Sequence, residues 1–165
     1  MTRKQTDDDF ATLEGGPGAD LDAVLVFNLL RTHTYLSPYI DAGLREDHLT
    51  AAQLNALLVL RRAGRAGLRM SEIGRQLVVT KSNVTGLVDR LEAQGLAARA
   101  GHADRRATVV RLTGQGAGLL ERITPRHARL LAELTNCLSD REKRTMIRLL
   151  TKLRRELRVR RGESA

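Results

Sequence analysis

The chain has 165 residues, a length typical of one domain or one compact protomer. It carries 28 Lys and Arg against 19 Asp and Glu, and the net charge of +9 predicts an anionic partner, most commonly nucleic acid. With 2% aromatic residues and no Trp, an aliphatic, mainly helical core is expected, and single-strand binders that stack bases are disfavoured. The single Cys137 excludes an intrachain disulfide and a multi-cysteine metal site.

Residues 1–19 form a polar arm that ends in Gly and Pro, and we expect it to be flexible. It lacks the apolar segment of a signal peptide, and no apolar run approaches the length of a membrane span, so we expect a cytoplasmic protein. Residues 20–46 are predicted to be a helix that Pro38 kinks or interrupts. Its apolar residues cover more than one stripe, which indicates more than one buried surface.

The segment 47–113 has the pattern of a helix–turn–helix followed by a hairpin. Thr50 and Gln53 form a capping box at the start of a helix, and residues 68–70 fit a short strand. Ser71 is expected to cap a short helix, and Thr80 a longer one that ends at Gly95. The longer helix has an inward face at helical spacing, made of Val84, Leu87, Val88 and Leu91.

Two strands joined by a loop follow in 96–113 and are expected to form a wing. Residues 114–160 are predicted to form two further helices, with a kink at Pro125 and a second capping box at Ser139 and Glu142. Met146, Leu149, Leu150, Leu153 and Leu157 make a nearly heptad stripe on the last helix. The basic run 154–161 is expected to be a solvated helix end, with a DNA-contacting tail as the alternative. The predicted fold class is mainly α with a small β-wing.

A helix held by its apolar face presents the opposite face to a DNA major groove, which is about 12 Å wide. The polar residues at the front of the longer helix are therefore expected to contact DNA: Thr80, Lys81, Ser82, Asn83 and Thr85. Arg75 and Arg90 are expected to flank the groove as phosphate contacts, and Ser71 is included in the DNA-binding set. The alternative for Lys81, Ser82 and Asn83 is an ordinary capped helix turn at the surface, without DNA contact.

The hairpin tip carries Asp104, Arg105 and Arg106. A narrow minor groove has an enhanced negative potential that attracts an inserted arginine, and both arginines are candidates for that role. Asp104 is expected to orient the tip and not to touch DNA. The alternative for these residues is a solvated loop.

The segment from Ser71 to Gly116 resembles the winged helix of the MarR family of bacterial transcription regulators. Asp104 and Arg106 match the family's wing signature, and Leu112 with Thr113 match the end of its strand. The resemblance implies a winged helix–turn–helix lobe in 47–113, with dimerisation helices in 20–46 and 114–160. It further implies a homodimer on a pseudo-palindromic operator, a regulator that is often a repressor, and release by a small phenolic or anionic effector.

His33 and Tyr35 are candidates for an effector pocket, against the alternative of an exposed helix face. Pro38 alters the segment that shapes the family's pocket, and the cysteine of its peroxide-sensing branch is absent near the first helix. Cys137 is expected to be a buried, inert thiol, with a redox switch as the alternative. No nucleophile with its base and no metal-ligand spacing is found, so neither an enzyme, a metal nor a cofactor is expected. The rival function is a nucleoid-type or protein-interaction module without a specific operator.

Overall fold

The computed structural model describes residues 20–77, 81–100, 108–160 and 162, and of Lys81 and Ser82 only the backbone. The chain divides into two compact units, Met1–Gly43 and Leu44–Ala165. Helix α1 spans Leu21–Leu44, and Asp20 caps its start, since the Asp20 carboxylate accepts the backbone N–H of Asp22 at 3.0 Å. No helix in the described part of the chain is both long and apolar enough to cross a membrane.

Of the two outcomes predicted for Pro38, a kink or an interruption, the interruption is wrong, because α1 continues through that residue to Leu44. A proline inside a helix removes the hydrogen bond to the carbonyl four residues earlier, here that of Thr34. The residues around Pro38 are exposed or half-exposed, so water can take the place of the missing donor. The hydroxyls of Thr34 and Ser37 meanwhile donate to the carbonyls of Leu30 and His33.

In the second unit, a 3-10 turn at Arg45–Asp47 leads to helix α2, Ala51–Ala63. The predicted capping box of α2 is confirmed: Thr50 accepts the N–H of Gln53 at 3.2 Å, and Gln53 accepts the N–H of Thr50 at 2.9 Å. Strand β1 is Leu68–Arg69, and helix α3 is Met70–Leu77.

The prediction that Ser71 caps α3 is wrong, because the helix already includes Met70 and Ser71 lies in its first turn. The carboxylate of Glu72 accepts the N–H of Arg69 at 2.7 Å instead. An acidic side chain in the first turn satisfies a free donor at the helix start as a hydroxyl would.

Helix α4 spans Lys81–Ala93, strand β2 Ala97–Ala100 and strand β3 Val109–Leu112. The three strands form an antiparallel sheet of order β1-β3-β2, in which Arg99 and Leu68 both pair with Val110. Val110 is fully buried while Arg111 is exposed, so β3 turns alternate side chains toward the core and the solvent.

Helix α5 spans Gly114–Leu134 and helix α6 spans Asp140–Arg160. The second capping box is confirmed, since Ser139 and Glu142 exchange hydrogen bonds at the start of α6. The Ser139 hydroxyl also donates to the carboxylate, and these bonds lower the pKa of Glu142.

The prediction of a buried Cys137 is wrong, because α5 ends three residues earlier and the thiol is exposed in the turn between α5 and α6. The hydroxyl of Thr135 donates to the carbonyl of Leu131 at 2.8 Å, and the N–H of Leu138 donates to Thr135. The first bond closes the helix end before the cysteine, and the second forms the turn that contains it.

The core of the second unit lies where α2, α3, α4, the sheet and the first half of α5 pack together. Its fully buried large side chains are Leu44, Leu57, Leu60, Ile73, Val84, Val88, Leu91, Val110, Leu120 and Ile123. All are aliphatic, as the composition predicts. The predicted fold class, mainly α with a small β-wing, is confirmed.

Candidate nucleic-acid interface

Helix α4 is anchored by one face and exposed on the other. Val84, Val88 and Leu91 are at most 1% exposed, and the helix packs on α3 through this side. Burying three large aliphatic side chains fixes the rotation of the helix about its axis, each contributing about 1.5–3 kcal/mol. The opposite face is therefore held outward in one orientation.

That outward face carries polar residues that the sequence predicts to be DNA contacts. Asn83, Thr85 and Arg90 are exposed on α4. Asn83 and Arg90 are seven residues apart, so both lie along one side of the helix, two turns from each other. An amide near the front and a guanidinium farther back suit a base edge and a phosphate respectively.

The front of α4 favours an anion. Its first turn contains no acidic residue and begins with Lys81, and the free N–H groups of a helix start attract phosphate. Ser71 and Arg75 are both exposed on α3. Thr80 and the wing-tip residues Asp104, Arg105 and Arg106 lie outside the described residues, as do the side chains of Lys81 and Ser82.

Arg99 of β2 joins the wing to α4 through two carboxylates. Its backbone N–H donates to Glu92 at 2.6 Å, and its guanidinium donates to Glu92 and, at 2.6 Å, to Asp89. This cluster was not predicted from the sequence. The available signal was the pair of acids three residues apart on one helix face, followed by an arginine in the next strand. The cluster also compensates the two negative charges on the second half of α4.

The end of α4 is fixed by backbone geometry. Gly95 has a φ of +68°, its N–H donates to Glu92 at 2.8 Å, and the N–H of Leu96 donates to Leu91 at 2.8 Å. These two bonds form a Schellman motif, which confirms the predicted C-terminal glycine. Thr113 then donates its hydroxyl to the carbonyl of Gly95 at 2.7 Å, which ties the end of β3 to this turn.

Helix α5 begins in close contact with the same turn. A Cβ atom built on Gly116 would lie 2.1 Å from the carbonyl oxygen of Leu96, whereas Gly114 and Gly118 have open space around them. Glycine is a poor helix former, and Gly116 is explained by this approach of the α5 backbone to the start of β2.

A shallow cavity of about 360 Å³ lies beside this junction, lined by Asp47, His48, Gln94, Leu96, Gln115, Leu119 and Arg122. Its polar groups are partly engaged: the Gln94 amide donates to the carbonyl of His48 at 3.0 Å, and Gln53 donates to Gln94 at 3.0 Å. The guanidinium of Arg122 is 70% exposed and lies 3.9 Å from the carboxylate of Asp47.

The predicted pocket residues do not line this cavity. His33 and Tyr35 are exposed on α1, where the His33 ring lies 3.3 Å from the Ser37 hydroxyl and Arg31 donates to the Tyr35 hydroxyl at 3.3 Å. No group of three or more His, Cys, Asp or Glu among the described residues has the geometry to hold a metal ion.

Helix α4 buries one face and exposes polar residues at its front. It is preceded by the short helix α3 and followed by the antiparallel strands β2 and β3, and this arrangement defines a winged helix–turn–helix protein. The model of the MarR family matches residues 49–107, which contain α2, α3, α4 and β2. The transcriptional repressor YetL of Bacillus subtilis is 30% identical over 81% of this chain and 79% of its own length. The chain belongs to the MarR family of transcriptional regulators.

Two further comparisons agree with this assignment. The transcriptional regulator PecS of Dickeya dadantii is 28% identical over 86% of this chain and 87% of PecS. The structure of a mutant MarR from E. coli complexed with operator DNA has a TM-score of 0.71 at 28% identity, over 82% of this chain and 99% of that chain. PecS is named a transcriptional regulator and the MarR structure contains operator DNA, in agreement with the prediction that this chain is a regulator and not an enzyme.

Proposed function

We propose that this regulator binds a pseudo-palindromic operator sequence-specifically, as a homodimer that places two α4 helices in successive major grooves. The observation that carries the proposal is the fixed orientation of α4, with Val88 fully buried on one side and Asn83 exposed on the other. Half-sites for such a dimer lie about 34 Å apart, one turn of the duplex. The MarR structure with operator DNA supports the same use of the fold.

The DNA contacts in the proposal fall into two kinds. Asn83 and Thr85, with Thr80, Lys81 and Ser82 in front of them, meet base edges and nearby phosphates of the major groove. Ser71, Arg75 and Arg90 contact the phosphate backbone beside it. Arg106, with Arg105 as its neighbour, enters the minor groove while Asp104 orients the wing tip.

The homodimer is supported by apolar side chains that the single chain leaves exposed. Helix α6 has no buried residue, and Met146, Leu149 and Leu157 are 44–50% exposed along one stripe. Helix α1 separately exposes Leu25, Leu30 and other large apolar residues. Contiguous apolar surfaces of this kind are covered by a partner, most often by a second copy of the chain.

Repression and release by an effector complete the proposal. YetL is named a repressor, and this chain shares 30% identity with it. The cavity beside Arg122 has a cationic group and amides that suit a small anionic or phenolic molecule. The assignments of His33 and Tyr35 to an effector pocket, and of the protein to the cytoplasm, stay predictions.

The test is selection of binding sites from a library of random duplexes, combined with light scattering of the free protein. The proposal predicts an inverted repeat with half-sites about one helical turn apart and a mass of twice 18.3 kDa. Recovery of duplexes without a shared motif would favour a nucleoid-type module, and a monomer in solution would overturn the dimer.

A further inference from the structure

Most of the chain's excess positive charge is concentrated in its last described helix. Helix α6, Asp140–Arg160, contains nine Lys and Arg against three Asp and Glu, an excess of six out of nine for the whole chain. The proposed function draws on cations of α3, α4 and the wing, so it leaves this larger concentration without a role.

The charges on α6 are segregated. Five cations recur every three or four residues and so share one face of the helix, and all five are exposed: Arg141, Arg144, Arg148, Lys152 and Arg155. At 3.6 residues per turn, the apolar stripe from Met146 to Leu157 lies on the opposite face. We call the five cations the basic stripe.

The basic stripe has little compensating charge. Arg144 lies 3.6 Å from Asp140, and both side chains are about 80% exposed, so water screens this pair. Arg141, Arg148, Lys152 and Arg155 have no ion pair with any residue that the structure describes. Like charges three or four residues apart destabilise a helix, and a bound anion would remove this repulsion.

The stripe fits a linear polyanion. From Arg141 to Arg155 it extends about 21 Å along the helix axis, which is longer than a single small anion. Four of its five cations are arginines, whose planar guanidinium groups bind phosphate through paired hydrogen bonds. A membrane-bound amphipathic helix must insert its apolar face into the lipid. In the proposed homodimer a second copy of the chain covers the apolar stripe of α6, so only the cations remain accessible, which favours a nucleic acid over a lipid surface.

We infer that the basic stripe of α6 binds the phosphate backbone of duplex DNA without sequence preference, at a surface separate from α4 and the wing. A protein bound to its operator through α4 thereby gains a second contact, with flanking or distant DNA. The affinity of such a contact is set by the release of counterions and depends steeply on salt.

The experiment measures the affinity of the full chain for a random-sequence duplex over a range of salt concentrations. The stripe variant combines Arg148→Gln, Lys152→Gln and Arg155→Gln. The control variant combines Lys143→Gln, Arg154→Gln and Arg160→Gln, which removes the same charge from the same helix outside the basic stripe. Light scattering and circular dichroism check that both variants keep the wild-type mass and helix content.

In the stripe variant the plot of log K against log salt is expected to become less steep, its slope falling in magnitude by about 2–3. The reason is that three phosphate contacts are lost, each worth about 0.9. The control is expected to change the slope by less than about 1, because its three cations lie on other sides of the helix and do not contact the phosphates bound by the stripe. Equal losses in the two variants would overturn the inference. An unchanged slope in the stripe variant would also overturn the inference. If that variant instead loses binding to vesicles of phosphatidylcholine and phosphatidylserine, the stripe binds a lipid surface and the inference is overturned as well.

A third variant separates this inference from the proposed function. Arg75→Gln with Arg90→Gln removes two of the proposed phosphate contacts of the helix–turn–helix. If this variant keeps the wild-type slope while the stripe variant does not, the phosphate contacts proposed for Arg75 and Arg90 fail and the inference stands. The reverse pattern would overturn the inference and leave the proposed function intact.

Discussion

The guanidinium of Arg99 lies 2.6 Å from the carboxylate of Asp89, so the first strand of the wing is bonded to the helix proposed to read the major groove. Glu92, one turn farther along α4, accepts from both the backbone and the side chain of the same arginine. Arg99 and Glu92 are about 30% exposed. The cluster is therefore accessible to water, and its main effect is on the orientation of β2 relative to α4, with a stability contribution of at most about 1 kcal/mol.

Replacement of Arg99 tests this positioning role. We expect Arg99→Gln to weaken operator binding about fivefold to tenfold, about 1–1.4 kcal/mol, with little change in the free energy of unfolding. Asp89→Asn is the matched variant, since it breaks the same contact but removes a negative charge. If Asp89→Asn also weakens binding, position is decisive, whereas stronger binding would mean that Arg99 acts only through its charge.

Gly116 is predicted to be intolerant of any side chain. Gly116→Ala should lower the free energy of unfolding by about 1–3 kcal/mol, because its Cβ would overlap the Leu96 carbonyl and force α5 away from β2. Gly118→Ala is the control, since nothing lies near its Cβ, and it should raise stability by about 0.5–1 kcal/mol. Urea unfolding measures both, and a Gly116→Ala protein as stable as the wild type would contradict the close packing of α5 against Leu96.

Asn83 is predicted to carry base preference. A side-chain amide can form two hydrogen bonds with adenine, whereas a lysine in the first turn contacts phosphate as a point charge. Asn83→Ala should therefore broaden the selected DNA motif, while Lys81→Ala should weaken all sequences alike. Selection from random duplexes compares the two, and identical motifs from both variants would count against the assignment.

Arg106 is predicted to be the wing's main minor-groove contact. Arg106→Ala should cost about 1–3 kcal/mol of operator binding, with the dimer left intact. A gel shift on the selected operator gives the affinity, and light scattering checks the mass. Unchanged affinity would remove the minor-groove role.

The pH dependence of stability is predicted to involve His127 of α5. Burial and then the neighbouring charge of Arg126 lower the pKa of this imidazole, and its buried Nδ1 has no hydrogen-bond partner among the described residues. In the unfolded chain the pKa of this imidazole is the ordinary value of about 6.5. Below that pH the unfolded chain binds more protons than the folded chain. The free energy of unfolding is therefore undiminished by His127 above about pH 6.5 and falls as the pH drops below it.

His127→Gln should flatten this dependence, because glutamine does not titrate. Urea midpoints of the wild type and the variant at about pH 5 and about pH 8 provide the comparison. An equal loss of stability in the two proteins at the lower pH would exclude His127 as the cause.

Local signals made much of this fold predictable from the sequence. The capping boxes at Thr50 and Ser139 each depend on residues three positions apart, and the buried face of α4 follows from the spacing of Val84 and Leu91. The exposure of Cys137 was missed although Ser139 starts the next helix: the apolar neighbours Leu134 and Leu138 suggested that α5 continued.

The contacts that position the site were not predictable in the same way. Arg99 meets Asp89 across ten residues, and Gly116 touches Leu96 across twenty, so both depend on how β2 folds back along α4. Glycine is a poor helix former at either position, so the local sequence does not distinguish Gly116 from Gly118. Only the tertiary structure shows that Gly116 is required while Gly118 is not.

Specific reading of a DNA sequence by α4 and the wing is decided by one comparison of affinities. The wild-type protein's affinity for its selected operator is divided by its affinity for a random duplex, both measured at one near-physiological salt concentration. We expect a ratio of about a thousand or more. A ratio near one would exclude sequence-specific binding and would leave a winged helix that binds DNA through charge alone.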